Sequence, residues 1–158
     1  TDGTDSVYYF ENADGGQEMV IGHYNEEEAR EMLELVNEYR ASIDMPALAM
    51  TSEMMNSYVA MRAVETSYLW DHARPNGGRT SYSENIAMSE PDARGNLPDV
   101  QAFFDAWLNS PGHKANLDAS RHLNLTGISV FYKRCPIYRD GVETGRYAYM
   151  EYWVEIFK

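Results

Sequence analysis

Residues 107–116 form the segment Trp107-Leu108-Asn109-Ser110-Pro111-Gly112-His113-Lys114-Ala115-Asn116. Just upstream, apolar residues recur at the i, i+3, i+4, i+7, i+8 spacing of one helix face: Val100, Phe103, Phe104, Trp107 and Leu108. Pro111 disfavours helical geometry in the residue before it and fits well at the first position of a new helix. The segment therefore predicts a helix that ends near Ser110 and a short helix from Pro111 to about Leu117.

This helix start has a consequence for His113. A histidine in the first turn of a helix lies near free backbone N–H groups and the positive end of the helix dipole, which disfavours imidazolium. We expect His113 to be neutral near pH 7 and able to accept a proton or bind a metal. The same geometry predicts that the Ser110 hydroxyl bonds a backbone N–H, which argues against a nucleophilic serine.

Two more polar motifs lie upstream, and they read Asp71-His72-Ala73-Arg74-Pro75-Asn76-Gly77 and Ser83-Glu84-Asn85-Ile86-Ala87. Residues 70–97 are rich in Gly, Pro, Asn, Ser and Asp and lack sustained periodicity, which predicts loops or short elements. Functional side chains are common on loops that a rigid scaffold holds in place. His72 and Glu84 are therefore candidate site residues.

The N-terminal half predicts a hairpin and two helices. Residues 7–10 and 19–21 are strand-like runs on either side of Asp14-Gly15-Gly16, so residues 1–24 are expected to form a hairpin or a loose arm. Asn25, followed by three glutamates, is a typical N-cap for a first helix. Thr51 is expected to cap a second helix whose core stripe is Met54, Tyr58, Met61, Val64 and Tyr68.

The C-terminal part predicts two strands. Residues 128–133 alternate between apolar and more polar positions, as a strand does. After a loop containing Cys135-Pro136 and Asp140-Gly141, residues 147–157 form a longer strand, and both of its faces look covered. A sheet with helices on both faces gives an α+β, three-layer α-β-α sandwich.

Composition limits the class of protein. A chain of 158 residues suits one domain, and a formal net charge of −12 repels a nucleic-acid backbone. No apolar run approaches the roughly 20 residues that span a bilayer, so no transmembrane segment is predicted. A first residue other than Met suggests a processed product whose signal segment was removed. The single cysteine, Cys135, permits no internal disulfide.

Taken in order, the motifs resemble the bacterial branch of the CAP superfamily, named for cysteine-rich secretory proteins, antigen 5 and pathogenesis-related class one proteins. The resemblance covers about residues 30–158 and includes Arg62-Ala63, the two loop motifs, residues 107–116 and Tyr152-Trp153-Val154-Glu155-Ile156-Phe157. It implies an α-β-α sandwich around a central antiparallel sheet. Residues 25–158 are expected to form this SCP-type domain, with residues 1–24 outside the family pattern.

The resemblance also implies a cavity. Carried over position by position, its residues are His72, Glu84, Ser110 and His113, where Ser110 replaces the second glutamate of many eukaryotic members. The implied metal ligands are His72, Glu84 and His113, which are a sufficient first shell for zinc or another divalent ion. The missing second glutamate removes a general base, so an activated-water mechanism loses support.

Simpler interpretations remain open for these residues. His72 could bond only backbone carbonyls of its loop, and Glu84 could form a structural ion pair with Arg74 or Arg79. Asn85 is expected to bond backbone rather than substrate. Other polar residues match no site motif, and we expect surface or packing roles for them: His23, His122, Cys135, Glu151 and Glu155.

Three functions follow from the sequence. The leading hypothesis is a secreted or cell-surface binding module that takes a small ligand, a lipid, a peptide or an envelope component. The alternative is a divalent-metal-dependent hydrolase of the peptidase type. The third is a structural or effector domain with a vestigial cavity. No catalytic residue is assigned, and the extracellular location is implied by the resemblance alone.

Overall fold

The computed structural model describes residues 4–50, 58–119 and 121–158. Its helices are α1 (Glu26–Ser42), α2 (Val59–Tyr68), α3 (Val100–Leu108) and α4 (Pro111–Leu117). Its strands are β1 (Ser6–Glu11), β2 (Gln17–Tyr24), β3 (Ala49–Met50), β4 (Ser83–Ser89), β5 (Leu125–Arg139) and β6 (Val142–Phe157). Thr51 and Met54, which the sequence assigned to the second helix, lie outside the described residues.

The strands form one sheet in the order β1-β2-β5-β6-β4, and every neighbouring pair in that order is antiparallel. The short β3 joins β5 in parallel. Helices cover both faces, so the α+β, three-layer sandwich with a central antiparallel sheet is confirmed. Among the described helices, none is long and apolar enough to cross a membrane.

Alternate residues of β5 and β6 fill two separate cores. One core packs α1 and α3 on a sheet face that includes Ile128, Val130 and Trp153. The other packs α2 and the β1–β2 hairpin on the opposite face, which includes Phe131 and Val154. Residues that alternate along a strand point to opposite faces, so one strand serves both cores. The expectation that both faces of β6 are covered is confirmed.

Local signals explain how the helices start. Asn25 accepts a bond from the backbone N–H of Glu28 and caps α1, as the sequence predicts. Asp99 caps α3 in the same way, through the N–H of Ala102. Pro111 begins α4, so the predicted break between the third and fourth helices is confirmed.

The predicted loop at Cys135-Pro136 is wrong. β5 continues through both residues to Arg139, with a register irregularity between Pro136 and Tyr138. Beyond Lys133, β5 pairs with β6 alone, and proline is tolerated at such edges and bulges. The turn that joins β5 to β6 is Asp140-Gly141, where both residues have positive φ, as a tight hairpin requires.

Strands β1 and β2 form an antiparallel hairpin, and β2 joins the central sheet through β5. At the turn, the Asn12 side chain accepts bonds from the N–H groups of Asp14 and Gly16. Gly22 of β2 lies so close to β5 that an added Cβ would stand 2.0 Å from the Tyr132 carbonyl oxygen. The division between residues 1–24 and the domain at 25–158 stays a prediction.

Candidate functional site

The three polar motifs meet at one open cavity of about 320 Å³. His72 reaches it from the loop between α2 and β4, and Glu84 from the start of β4. The α3–α4 junction and α4 supply the remaining lining residues: Ser110, Gly112, His113 and Asn116. All four residues that the sequence assigned to a cavity therefore line the same space.

The loop that carries His72 is fixed by local bonds. The Asp71 carboxylate accepts the N–H of Ala73, and Gly77 takes a positive φ that closes the following turn. The carbonyl of Asp71 accepts a bond from Arg62 of α2 at 3.1 Å. The loop around His72 is therefore fixed by its own turn and by a hydrogen bond to the buried Arg62.

Glu84 forms a buried ion pair with Arg62 through both of its carboxylate oxygens. The carboxylate accepts from Arg62 Nε at 2.8 Å and from Nη2 at 2.9 Å, and both side chains are at most 1% exposed. Burial alone would lower the pKa of Arg62, but its bonds to Glu84 and Glu65 outweigh this and raise it. The sequence-based pairing of Glu84 with Arg74 or Arg79 is wrong, since Arg74 bonds Glu65.

Sequence reasoning gave Arg62 no role, although the residue belongs to the Arg62-Ala63 motif. A signal was present in the chain: Arg62 and Glu65 are charged residues at i and i+3 within an otherwise mostly apolar or small helix segment. Charged side chains that are buried need enough partners to satisfy all their polar atoms, so this pair is expected to bond further charged residues. Glu84 and Arg74 are those partners.

His72 is held by the same carboxylate. Its Nδ1 lies 3.0 Å from Glu84 Oε1, while the imidazole remains 59% exposed towards solvent. A carboxylate held by an arginine only accepts hydrogen bonds, so Nδ1 of His72 carries a proton, and in the tautomer with a single proton Nε2 keeps its lone pair. The interpretation that His72 bonds only backbone carbonyls does not fit this contact.

His113 is held by Ser110. Its Nδ1 lies 2.8 Å from the serine Oγ, and the serine side chain makes no capping bond to a backbone N–H. The predicted capping role of this hydroxyl is therefore wrong, because the imidazole one turn on takes its hydrogen bond. Burial, and secondarily the charge of His72, lower the pKa of His113. The predicted neutral state agrees in direction, with burial as the main cause.

The other motif residues join β4 to the helices. Trp107 Nε1 donates to the Ile86 carbonyl at 3.2 Å, and Asn116 Nδ2 donates to Asn85 Oδ1 at 2.8 Å. The Asn85 amide in turn donates to the His113 carbonyl at 3.1 Å. Asn85 therefore bonds backbone, as predicted. The network holds α4, which carries His113, against β4, which carries Glu84.

These contacts bear on the implied metal. In a ligand set of His72, Glu84 and His113, Glu84 would have to share a carboxylate that already accepts two bonds from Arg62 and one from Nδ1 of His72. In the described parts of the chain, no group of three His, Cys, Asp or Glu residues is arranged to hold a metal ion. The residues present do not fit a three-ligand site. What they offer is hydrogen bonding and proton exchange by two imidazoles.

Comparisons with known proteins agree with this architecture. An outer surface protein from Borrelia burgdorferi is 17% identical with a TM-score of 0.53, over 87% of this chain and 98% of the other. An extracellular protein containing an SCP domain from Bacillus anthracis str. Ames is 15% identical with a TM-score of 0.54, over 89% and 47% respectively. No curated protein matches the chain. The model of the cysteine-rich secretory protein family, CAP, matches residues 33–157. Since this range spans most of the 158 residues, the chain belongs to the CAP family.

Proposed function

We propose that this chain is an extracellular or cell-surface binding module whose cavity recognises a small, neutral, polar ligand group. The observation that carries the proposal is that both cavity imidazoles are anchored through Nδ1. Glu84 anchors His72, and Ser110 anchors His113. Anchored rings lose little conformational entropy on binding, which favours a ligand-binding role.

The anchoring defines what the cavity presents. His72 donates from Nδ1, so in its neutral tautomer Nε2 is an acceptor. When the Ser110 hydroxyl donates to Nδ1 of His113, Nε2 of that ring carries the proton and is a donor. One acceptor and one donor suit a carboxamide or a hydroxyl group. Peptides and glycans carry such groups, so a peptide or an envelope component fits better than a lipid chain.

The size and lining of the cavity support the same ligand class. A volume of about 320 Å³ is at the lower end of the range for ligand pockets. Its walls are imidazoles, a hydroxyl, an amide and a carboxylate rather than aliphatic side chains. The extracellular location is carried over from the two structural neighbours, one an outer surface protein and one an extracellular protein.

A divalent-metal-dependent hydrolase is the less favoured alternative. It would require Glu84 to bind a cation with a carboxylate that already neutralises the buried Arg62 and accepts from His72. A vestigial cavity in a structural or effector domain is the third possibility, and it predicts that changes to the two histidines alter no binding. A vestigial cavity does not explain why both rings are fixed at the same nitrogen.

The test is histidine-ring NMR of the wild type with four probes. These are a short peptide mixture, N-acetylglucosamine oligomers, phosphatidylglycerol vesicles and zinc chloride. We expect the ring signals of His72 and His113 and the side-chain amide signal of Asn116 to shift with the peptide or the glycan in the wild type, and the Asn116 shift to be lost in the H72A/H113A variant. The matched control is H122A, which removes an exposed histidine outside the cavity.

Each remaining outcome contradicts the proposal in a different way. A response to zinc alone, lost in the double variant, favours the hydrolase alternative. A response to vesicles alone would mean that the ligand is a lipid. No response to any probe, with equal thermal stability in its presence and absence, favours the vestigial cavity.

A further inference from the structure

A second polar cluster joins the first turn of α1 to the sheet, remote from the cavity. It consists of Glu28 of α1, Tyr132 of β5 and Glu151 of β6. Glu151 pairs with Ser89, whereas Glu84 pairs with Ile156 on the same strand. Positions 151 and 156 are five residue steps apart, so the cluster and the cavity are separated by about 17 Å along β6.

The hydrogen bonds in this cluster require an extra proton. The Tyr132 hydroxyl lies within hydrogen-bond distance of Oε1 of Glu28 and, at 3.2 Å, of Oε1 of Glu151. A tyrosine has one hydrogen to donate, and an ionised carboxylate has none. If both carboxyls were ionised, one of these contacts would join two lone pairs. A proton on one carboxyl removes that conflict.

The positive charge of the N-terminus acts on Glu28, but its effect on the pKa is smaller than that of burial. Glu151 is completely buried, its Oε1 accepts from Trp153 Nε1 at 2.9 Å, and its Oε2 has no partner among the described residues. Glu28 also accepts from the Asn25 amide at 2.6 Å. Within the described chain, no Arg or Lys is bonded to either carboxyl.

Other titratable groups face the cluster from neighbouring elements. Glu31 of α1 adds negative charge near Glu28. His23 of β2 stacks on Tyr132 with ring centroids 5.2 Å apart, and its Nδ1 bonds Asp5 at 2.9 Å. Arg134 of β5 also pairs with Asp5, at 3.4 Å, so both His23 and Arg134 bond Asp5 rather than the two glutamates. Among the described residues, the two carboxyls of the cluster therefore lie side by side without a bonded cation.

We propose that Glu28, Tyr132 and Glu151 form a pH-sensitive latch, in which one shared proton fastens the first turn of α1 to β5 and β6. Loss of that proton places two carboxylates side by side in a buried space, and the turn is released. The latch lies outside the ligand cavity, so it does not depend on the proposed function.

The pKa directions agree with this geometry. Burial raises the pKa of Glu151 to about 7, and the nearby charge of Glu28 adds to the rise, against the bonds from Trp153 and Tyr132. Burial likewise raises the pKa of Glu28. A carboxyl with a raised pKa stabilises the fold fully below its ordinary value of 4.5, and that contribution is lost as the pH rises to about 7. The latch is closed in mild acid and open above neutral pH.

The test compares the wild type with E151Q, E28Q and the control E34Q, which removes an exposed glutamate of the same helix. One linked proton changes the unfolding equilibrium constant by at most about tenfold per pH unit. Between pH 5 and 7, we expect the constant of E151Q and E28Q to rise less steeply than that of the wild type, by up to this factor. E34Q should follow the wild type.

Hydrogen exchange locates the effect. Protection of the backbone amides at the start of α1 should fall between pH 5.5 and 8 in the wild type, relative to the last turn of the helix, and stay constant in E151Q. Equal pH dependence in wild type and E151Q would overturn the latch. If a glutamine variant does not fold, the Glu151 carboxyl carbon is titrated by NMR in the wild type, where a midpoint below about 5 overturns it.

Discussion

Arg62 is the residue whose removal tests the site most directly. In an R62M variant, the side chain keeps much of its length but loses the bonds to Glu84, Glu65 and the Asp71 carbonyl. Glu84 remains buried, with a side-chain exposure of 1%, and no longer has an arginine to neutralise it. Removing one partner of a buried ion pair costs about 3–5 kcal/mol in unfolding free energy. That is a large share of the stability of a domain this size.

Urea unfolding at pH 7, followed by tryptophan fluorescence, measures this cost. With a denaturant slope of about 2 kcal/mol per M, a loss of about 4 kcal/mol lowers the midpoint by about 2 M. The control is R121M, which removes an exposed arginine that pairs with Asp44 at 3.4 Å. Solvent screens such a surface pair, so the control midpoint should stay near that of the wild type.

A double variant separates the charge from the packing. R62M/E84M removes both partners, so it should be more stable than R62M alone, because no isolated carboxylate is left in the core. The reasoning is refuted if R62M behaves like R121M, or if the double variant loses as much as the two single changes together. Either result would mean that the buried Arg62–Glu84 pair is not energetically coupled.

Three further changes have defined outcomes. Burial raises the pKa of Glu155 to about 8, so stability should fall as the pH rises from 4.5 to 8; E155Q should remove up to about 1.4 kcal/mol per pH unit of that slope in urea unfolding. N116A deprives the buried Asn85 of a partner and should cost about 1–3 kcal/mol, so an unchanged urea midpoint would contradict the proposed network. G22A places a Cβ against the Tyr132 carbonyl and should destabilise the fold by about 1–3 kcal/mol, which calorimetry would detect as a lower melting temperature. A melting temperature like that of the wild type would refute the close approach.

The sequence predicted the helices because they depend on local patterns, whereas the cavity residues were implied by the family resemblance. Pro111 and the apolar spacing before it locate the helix break, and Asn25 locates the start of α1. The strand through Pro136 was missed for a tertiary reason. A proline normally ends a strand because it has no N–H to donate. At Pro136, however, β5 pairs only with β6 among the described strands and its register is irregular, and proline is tolerated at such edges and bulges.

Side-chain partners were the least predictable feature. Arg62 lies 22 positions before Glu84, and nothing in the local sequence distinguishes it from Arg74 or Arg79 as the partner. Packing decides the choice, because α2 is buried on nearly every side and directs its arginine into the sheet. The Ser110 hydroxyl had two acceptable partners one turn apart, and a helix start alone does not choose between them.

The charges around the cavity explain why the family pattern need not imply a metal here. Arg62 and Arg74 carry two positive charges, and Glu65 and Glu84 carry two negative ones, so the buried network is neutral. A divalent cation would add two positive charges beside a carboxylate that is already paired, and the position of a second glutamate is held by Ser110. A site that is balanced before binding favours a ligand that brings no net charge, which is the ligand class that the two anchored imidazoles select.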